Sequence, residues 1–197
     1  MPRPAVHQVD AVLDAARDLV LTGGPRSVGI RPIAARAGAP SGSLYHRFGS
    51  RDGVLVAAWL RAVRRFQSGF LAALEHQDPL ARAARAAHWS VDWALDEPLD
   101  ARLLLAHGQR DLLDQDPLGE LEDQVKSVNV PVARAIACLS RRLYGVQTTD
   151  AVERVTYALV DLPYAVVRRH VLADTLTPAV GASVASASVA LLCERST

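Results

Sequence analysis

VGIRPIAARAGAPSGSLYHRFGSRDGVL, residues 28–55, holds two short helical patterns separated by a single glycine. Ile30, Ile33, Ala34 and Ala37 recur at helical spacing, and Gly38 ends that run. The second pattern, from Pro40 to Phe48, carries Leu44 and Phe48 four residues apart. Two brief helices joined by a tight turn at a glycine are the sequence form of a helix-turn-helix. Ala34 is small where two helices must cross closely. Gly38 supplies the left-handed backbone that a bulkier side chain resists. The second helix then exposes Ser41, Ser43, Tyr45, His46 and Arg47, nearly all short and all able to hydrogen-bond, as a helix lying in a DNA groove requires.

The segments IAARAG (33–38) and SGSLYHRFGSRDGVL (41–55) resemble the DNA-binding signature of the tetracycline-repressor (TetR) family of one-component regulators. Alanine, glycine, the Leu-Tyr pair, phenylalanine and the basic residue fall in register. The likeness is close over roughly the first 60 residues; beyond them it extends only to length and helical character. Gly29 stands where a threonine cap is common, Pro40 where serine or threonine is, and Gly53 where a better helix former is expected. Glycine can still cap, and proline is tolerated in a first turn. The resemblance implies an all-α fold: an N-terminal three-helix DNA-binding domain and a C-terminal helical bundle for ligand binding and dimerisation. The corresponding division is 1–50 for the helix-turn-helix domain, 51–75 for a connecting helix and 76–197 for the regulatory body.

Charge is sorted along the chain in the same sense. Residues 1–65 carry ten Arg against four Asp (10 − 4 = +6), and the remainder carries twelve basic and seventeen acidic residues (12 − 17 = −5). A basic front on an acidic body is the asymmetry of a nucleic-acid module joined to something else. Half of the 197 residues are hydrophobic, enough for a core, yet no apolar run reaches the ~18–20 residues of a membrane helix. The first ten residues meet an acid too early for a signal peptide, so a cytoplasmic protein is expected. Cys138 and Cys193 lack metal-like spacing and read as two free thiols.

Outward from the motif, residues 7–22 form an amphipathic pattern ended by Gly23-Gly24-Pro25, which supplies the third helix of the head. Ser50 caps the next helix, expected to run to about Leu74 and long enough to serve both modules. In the body, helices are expected over 79–96, 98–107, 109–114, 117–143, 149–171 and 178–194, with kinks at Pro131 and Pro163.

Candidate sites follow. DNA contacts are expected from Arg31, Pro40, Ser41, Gly42, Ser43, Tyr45, His46 and Arg51, with Tyr45 and Arg51 on phosphate. Polar and aromatic residues in apolar helices are the ligand candidates: Trp89, Trp93, His107, Arg110, Asn129, Tyr157 and Tyr164. A stripe of Leu162, Val166, Val180, Val184, Ala187 and Leu191 is expected to meet a second subunit. The six histidines are scattered, and no metal, nucleophile or phosphate-loop motif appears, so no catalytic site, metal or cofactor is expected. These features point to a homodimeric regulator that binds an inverted-repeat operator in double-stranded DNA, released by an unknown small-molecule effector. A small-molecule carrier or helical enzyme keeping the helix-turn-helix as scaffold is the alternative. Repressor and activator are not separable at this level.

Overall fold

In the computed structural model, residues 5–112 and 121–193 are described, and among them every regular element is helical. The helices are α1 (Ala5–Gly23), α2 (Ile30–Ala37), α3 (Ser41–Phe48), α4 (Arg51–Ala73), α5 (Pro79–Asp96) and α6 (Pro98–Ala106). They continue as α7 (Leu121–Ser127), α8 (Val130–Tyr144), α9 (Thr149–Thr156), α10 (Leu162–Leu172) and α11 (Pro178–Cys193). Tight 3-10 turns occupy Pro25–Ser27 and Gln109–Leu112.

The chain forms two compact units that differ from the expected division. Unit 1 combines Met1–Val63 with Leu99–Val128, and unit 2 combines Arg64–Pro98 with Asn129–Thr197. The connecting helix is shared between them, and the segment after Pro98 joins the N-terminal head instead of the body. The reason lies in its side chains: Leu103 and Leu112 are buried in one core with Val12, Leu13, Ala16, Val20, Ile33, Ala34, Leu44, Val54 and Leu55. A second face of α4, with Val56, Leu60 and Val63, packs against Leu121, Val125 and Val128. Trp59 packs against both clusters.

Local chemistry sets the helix starts. Ser50 Oγ accepts from Gly53 N at 3.1 Å to cap α4, Asp78 Oδ2 accepts from Ala81 N at 2.6 Å to cap α5, and Thr148 Oγ1 accepts from Ala151 N at 3.3 Å to cap α9. The helix expected over 117–143 is instead two, α7 and α8, separated at Val128–Asn129; its start at Pro117 lies outside the described residues. Pro131 therefore sits in the first turn of α8, where its missing N–H breaks no helical bond, and it makes no kink. Pro163 is accommodated differently. A π turn over Tyr157–Asp161 precedes it, and Leu162 N bonds back to Tyr157 O, five residues earlier. The inserted residue makes Val155, Leu159, Pro163, Val167 and Val171 a buried stripe at strict intervals of four.

Candidate nucleic-acid interface

α2 and α3 enclose the turn that the glycine pattern requires. Gly38 has φ 62 and ψ 33, its N–H reaches back to Ala35 O at 3.3 Å, and Ala39 N bonds Ala34 O at 2.9 Å. Ala34 is buried at the crossing and Leu44 seats α3 on the core. The rest of α3 faces outward. Pro40, Gly42, Ser43, His46 and Arg47 are exposed, Ser41 is half-buried, and Tyr45 keeps 56% of its surface free. Ser43 Oγ donates to Pro40 O at 2.7 Å, so its proton is engaged within the helix and only its lone pairs face outward.

Pairing concentrates positive charge on this surface. Asp10 and Asp14 pair with Arg61, Asp14 and Asp18 with Arg17, Asp18 with Arg36, and Asp52 with Arg51. The four acids of residues 1–65 are thus each answered by an arginine of unit 1. Among the described residues Arg26, Arg31 and Arg47 are exposed and make no ion pair. Arg17 is tied further, donating to the buried Asp100 at 2.7 Å. Burial works against its charge, but the hydrogen bonds to Asp100 and Asp18 outweigh that and hold its pKa above the usual arginine value.

Arg51 does not face solvent as a phosphate contact requires. Only 16% of its side chain is exposed, because Nε donates to Val28 O at 2.8 Å, Nη2 to Pro25 O and Nη1 to the fully buried Asp52. Nη1 also lies 3.4 Å from Leu112 O. The guanidinium staples the loop before α2 to the start of α4, and phosphate would have to displace three carbonyls and a carboxylate. Gln8 is a polar residue that the sequence reading passed over, and Arg47, read there as an outward residue of the second helix, was not among the expected DNA contacts. They flank a cleft of about 50 Å³ between α1 and α3, floored by Val12 and Leu44. Arg47 was legible as an exposed cation at the end of α3; Gln8 was not, because only packing sets it beside that helix.

The ligand candidates scatter. Trp89 Nε1 donates to Phe66 O at 3.1 Å, and its ring covers Gly69, where a Cβ would come within 2.0 Å of Cζ2. Trp89 is therefore a packing residue between α4 and α5. Trp93 is buried edge-on to Phe66 at 5.2 Å, and Asn129 Oδ1 accepts from Gln67 Nε2 at 3.0 Å, so α4 gathers both. His107 belongs to unit 1, after α6. The side chain of Arg110 lies outside the described residues. Tyr157 and Tyr164 are 55% and 50% exposed, since the buried stripe of α9–α10 takes the other side of the helix; they line no interior of unit 2.

The expected subunit stripe also divides. Leu162, Val166 and Val180 are half-buried, and Ala187 and Leu191 are exposed. Val184 is only 2% exposed and belongs to the protomer's own interior with Gly181, Ser188 and Leu192. The buried side of α11 is set by Gly181, where a Cβ would come within 2.8 Å of the His88 ring. Among the described residues no helix is long and apolar enough to cross a membrane, and no three His, Cys, Asp or Glu are grouped to hold a metal ion.

Residues 12–58 match the family model for bacterial regulatory proteins of the tetR family. No curated protein matches the chain. Among solved structures, the fatty acid degradation regulator FadR from Bacillus halodurans is similar at 18% identity, covering 93% of this chain and 96% of that one, with a TM-score of 0.70. FadR from Bacillus subtilis, in complex with stearoyl-CoA, is similar at 14% identity over 93% and 96% of the two chains, TM-score 0.70. The TetR-family regulator PfmR from Thermus thermophilus is similar at 20% identity over 95% and 97%, TM-score 0.69. At these identities the structural likeness speaks to the fold.

Proposed function

We propose that this chain, a TetR-family DNA-binding transcription regulator by its residues 12–58, acts as a homodimeric repressor that leaves its operator when a small molecule binds unit 2. The observation that carries this reading is the outward face of α3. A helix seated on Leu44 presents Ser41, Gly42, Ser43, Tyr45, His46 and Arg47, while every acid in the first 65 residues is held by an arginine. Arg31 and Arg47 supply the phosphate attraction, and the short side chains of α3 let its backbone come close to base edges. Ser43, its proton held by Pro40 O, meets bases as an acceptor, which suits the exocyclic amine of adenine or cytosine.

Two such heads on one face of duplex DNA need half-sites about 34 Å apart, one helical turn or slightly more, hence an inverted repeat. The second copy is met through the exposed Tyr157, Tyr164 and Leu172, together with Leu162, Val166, Ala187 and Leu191. The effector favours a state in which the two heads no longer match that spacing, and releases DNA only by as much as it prefers that state. FadR from Bacillus subtilis holds stearoyl-CoA in its structure, which supports a ligand-responsive body in this fold. Selection of bound duplexes from a random pool tests the reading directly. A two-fold symmetric consensus with that spacing is expected, with affinity falling steeply as salt rises; no enrichment, or an asymmetric consensus, overturns it.

A further inference from the structure

Trp93 is 6% exposed, in the interior of unit 2, and its indole Nε1–H is buried with no acceptor among the described residues. Trp89, one turn earlier on α5, shows the ordinary solution: its indole donates to Phe66 O. At position 93 a phenylalanine would keep the edge-on contact with Phe66 without stranding a donor, and a stranded donor in an apolar interior lowers stability. The nearest polar pair offers little. Gln67, next to Phe66 on α4, already gives its amide N–H to Asn129 Oδ1. Ser140 Oγ, on α8, is likewise buried without a partner, so it does not accept from the Trp93 indole. A lone water would need two or more polar partners to stay beside an aromatic wall.

The chemistry of the surrounding interior is equally selective. Among the described residues the fully buried polar side chains of unit 2 are Gln67, Ser90, Ser140 and Ser188, none of which ionises. The half-buried Arg82 also buries its Nε without a partner, but it lies eleven residues before Trp93 on α5, roughly 16 Å along the helix. Ser90 and Ser188 are turned to backbone carbonyls, Ala86 O and Ala158 O. We infer that Trp93 is the hydrogen-bonding handle of the effector site, and that the effector is an uncharged, largely apolar molecule offering one acceptor oxygen, such as a ketone, ester or ether. This rests on the ligand-responsive reading above. A carboxylate or phosphate finds no buried counter-ion beside Trp93, and a pure hydrocarbon leaves the indole donor stranded.

Three small probes of one shape separate these cases: acetophenone, ethylbenzene and benzoate, titrated into the ¹⁵N-labelled full chain. The indole N–H signals belong to Trp59, Trp89 and Trp93, and Trp93→Phe identifies the third by its loss; Trp59→Phe and Trp89→Phe do so by elimination if that variant fails to fold. The Trp93 signal is expected upfield of the Trp89 signal in the free protein and to move downfield with acetophenone alone. Trp93→Phe should weaken acetophenone about five- to tenfold and ethylbenzene less than about twofold. A Trp93 signal already downfield without ligand, unmoved by acetophenone, or moved equally by ethylbenzene or benzoate overturns the inference. Affinity for the selected operator, measured with acetophenone present, separates the two readings. A downfield shift without DNA release keeps the site and removes the regulatory reading. Release by any molecule that leaves the Trp93 signal in place does the reverse.

Discussion

Unit 1 and unit 2 are both helical and apolar inside, yet they are held by different chemistry. In unit 1 buried or half-buried arginines fix one element to another: Arg17 joins α1 to Asp100 of α6, Arg61 joins α4 to α1, and Arg51 joins α4 to the loop before α2. In unit 2 helices come together where a side chain is missing, as Trp89 does over Gly69 and His88 over Gly181. The two devices fail differently. A guanidinium fork is directional, and removing one partner of a buried pair strands the other. Contacts among small and aromatic residues tolerate repacking provided volume is kept. On the proposed reading, the first device would hold α3 at one angle and the second would let unit 2 repack around an effector.

Charge placed in the interior of unit 2 should therefore cost more than any other change. Val184→Asp puts an ion where no buried counter-ion exists, and a loss on the order of 4–5 kcal/mol is expected in urea unfolding. Tyr164→Asp, at an exposed position, should leave unfolding unchanged but halve the mass seen by light scattering. An unchanged mass would move the subunit face away from α10. If Val184→Asp is instead well folded and monomeric, the division between inner and outer sides of α11 is wrong.

The matching test in unit 1 is Arg51→Ala. It takes one partner from the buried Asp52 and one donor each from Pro25 O and Val28 O, so about 2–4 kcal/mol of stability should be lost. Where the variant is still folded, operator affinity should fall while its salt dependence stays that of the parent, since no phosphate contact has gone. A flatter salt slope would return Arg51 to the DNA surface and undo the contrast between the units.

The head was legible because its signals are local. Gly38 and Ser50 each act within four residues of themselves, and the sequence pattern located them correctly. Gly53, an anomaly in the sequence, is explained by a contact four to five residues away: a Cβ there would sit 2.0 Å from Phe48 O. What the sequence could not carry was the destination of long side chains. Arg51 looked like a phosphate contact because it begins a helix, and its partners at Pro25 and Leu112 are set by the packing of distant segments. In the body the same limit applied to helix phase. The π turn at Tyr157–Asp161 shifts the phase of the residues after it, both tyrosines lie on the exposed side, and no periodicity count anticipates such a turn.

Unit 2's device can be tested more gently with Gly69→Ala. Its new methyl would meet Trp89 Cζ2, which must move and give up the bond to Phe66 O, a loss of about 1–3 kcal/mol that should appear as a lower melting temperature. DNA affinity of the folded fraction should not change. Recovery of the parent stability in Gly69→Ala combined with Trp89→Leu would show that the clash with the ring is the cause.

The smallest effect separates fold from function within α3 itself. A Cβ built on Gly42 meets nothing within 4 Å, and its φ is not among the positive values, so neither packing nor backbone geometry calls for glycine there. Within a helix glycine is less favourable than alanine, by up to about 1 kcal/mol in the interior and by less in a first turn such as that of Gly42. The proposed function offers a reason to carry it: close approach of DNA to the backbone of α3. Gly42→Ala should therefore raise the melting temperature slightly while weakening operator binding, with the loss uneven across operator positions because one methyl meets one base step. If the same substitution raises stability and leaves DNA affinity untouched, the outward face of α3 is not held close to a groove, and the direction of the recognition surface must be redrawn around Arg31 and Arg47.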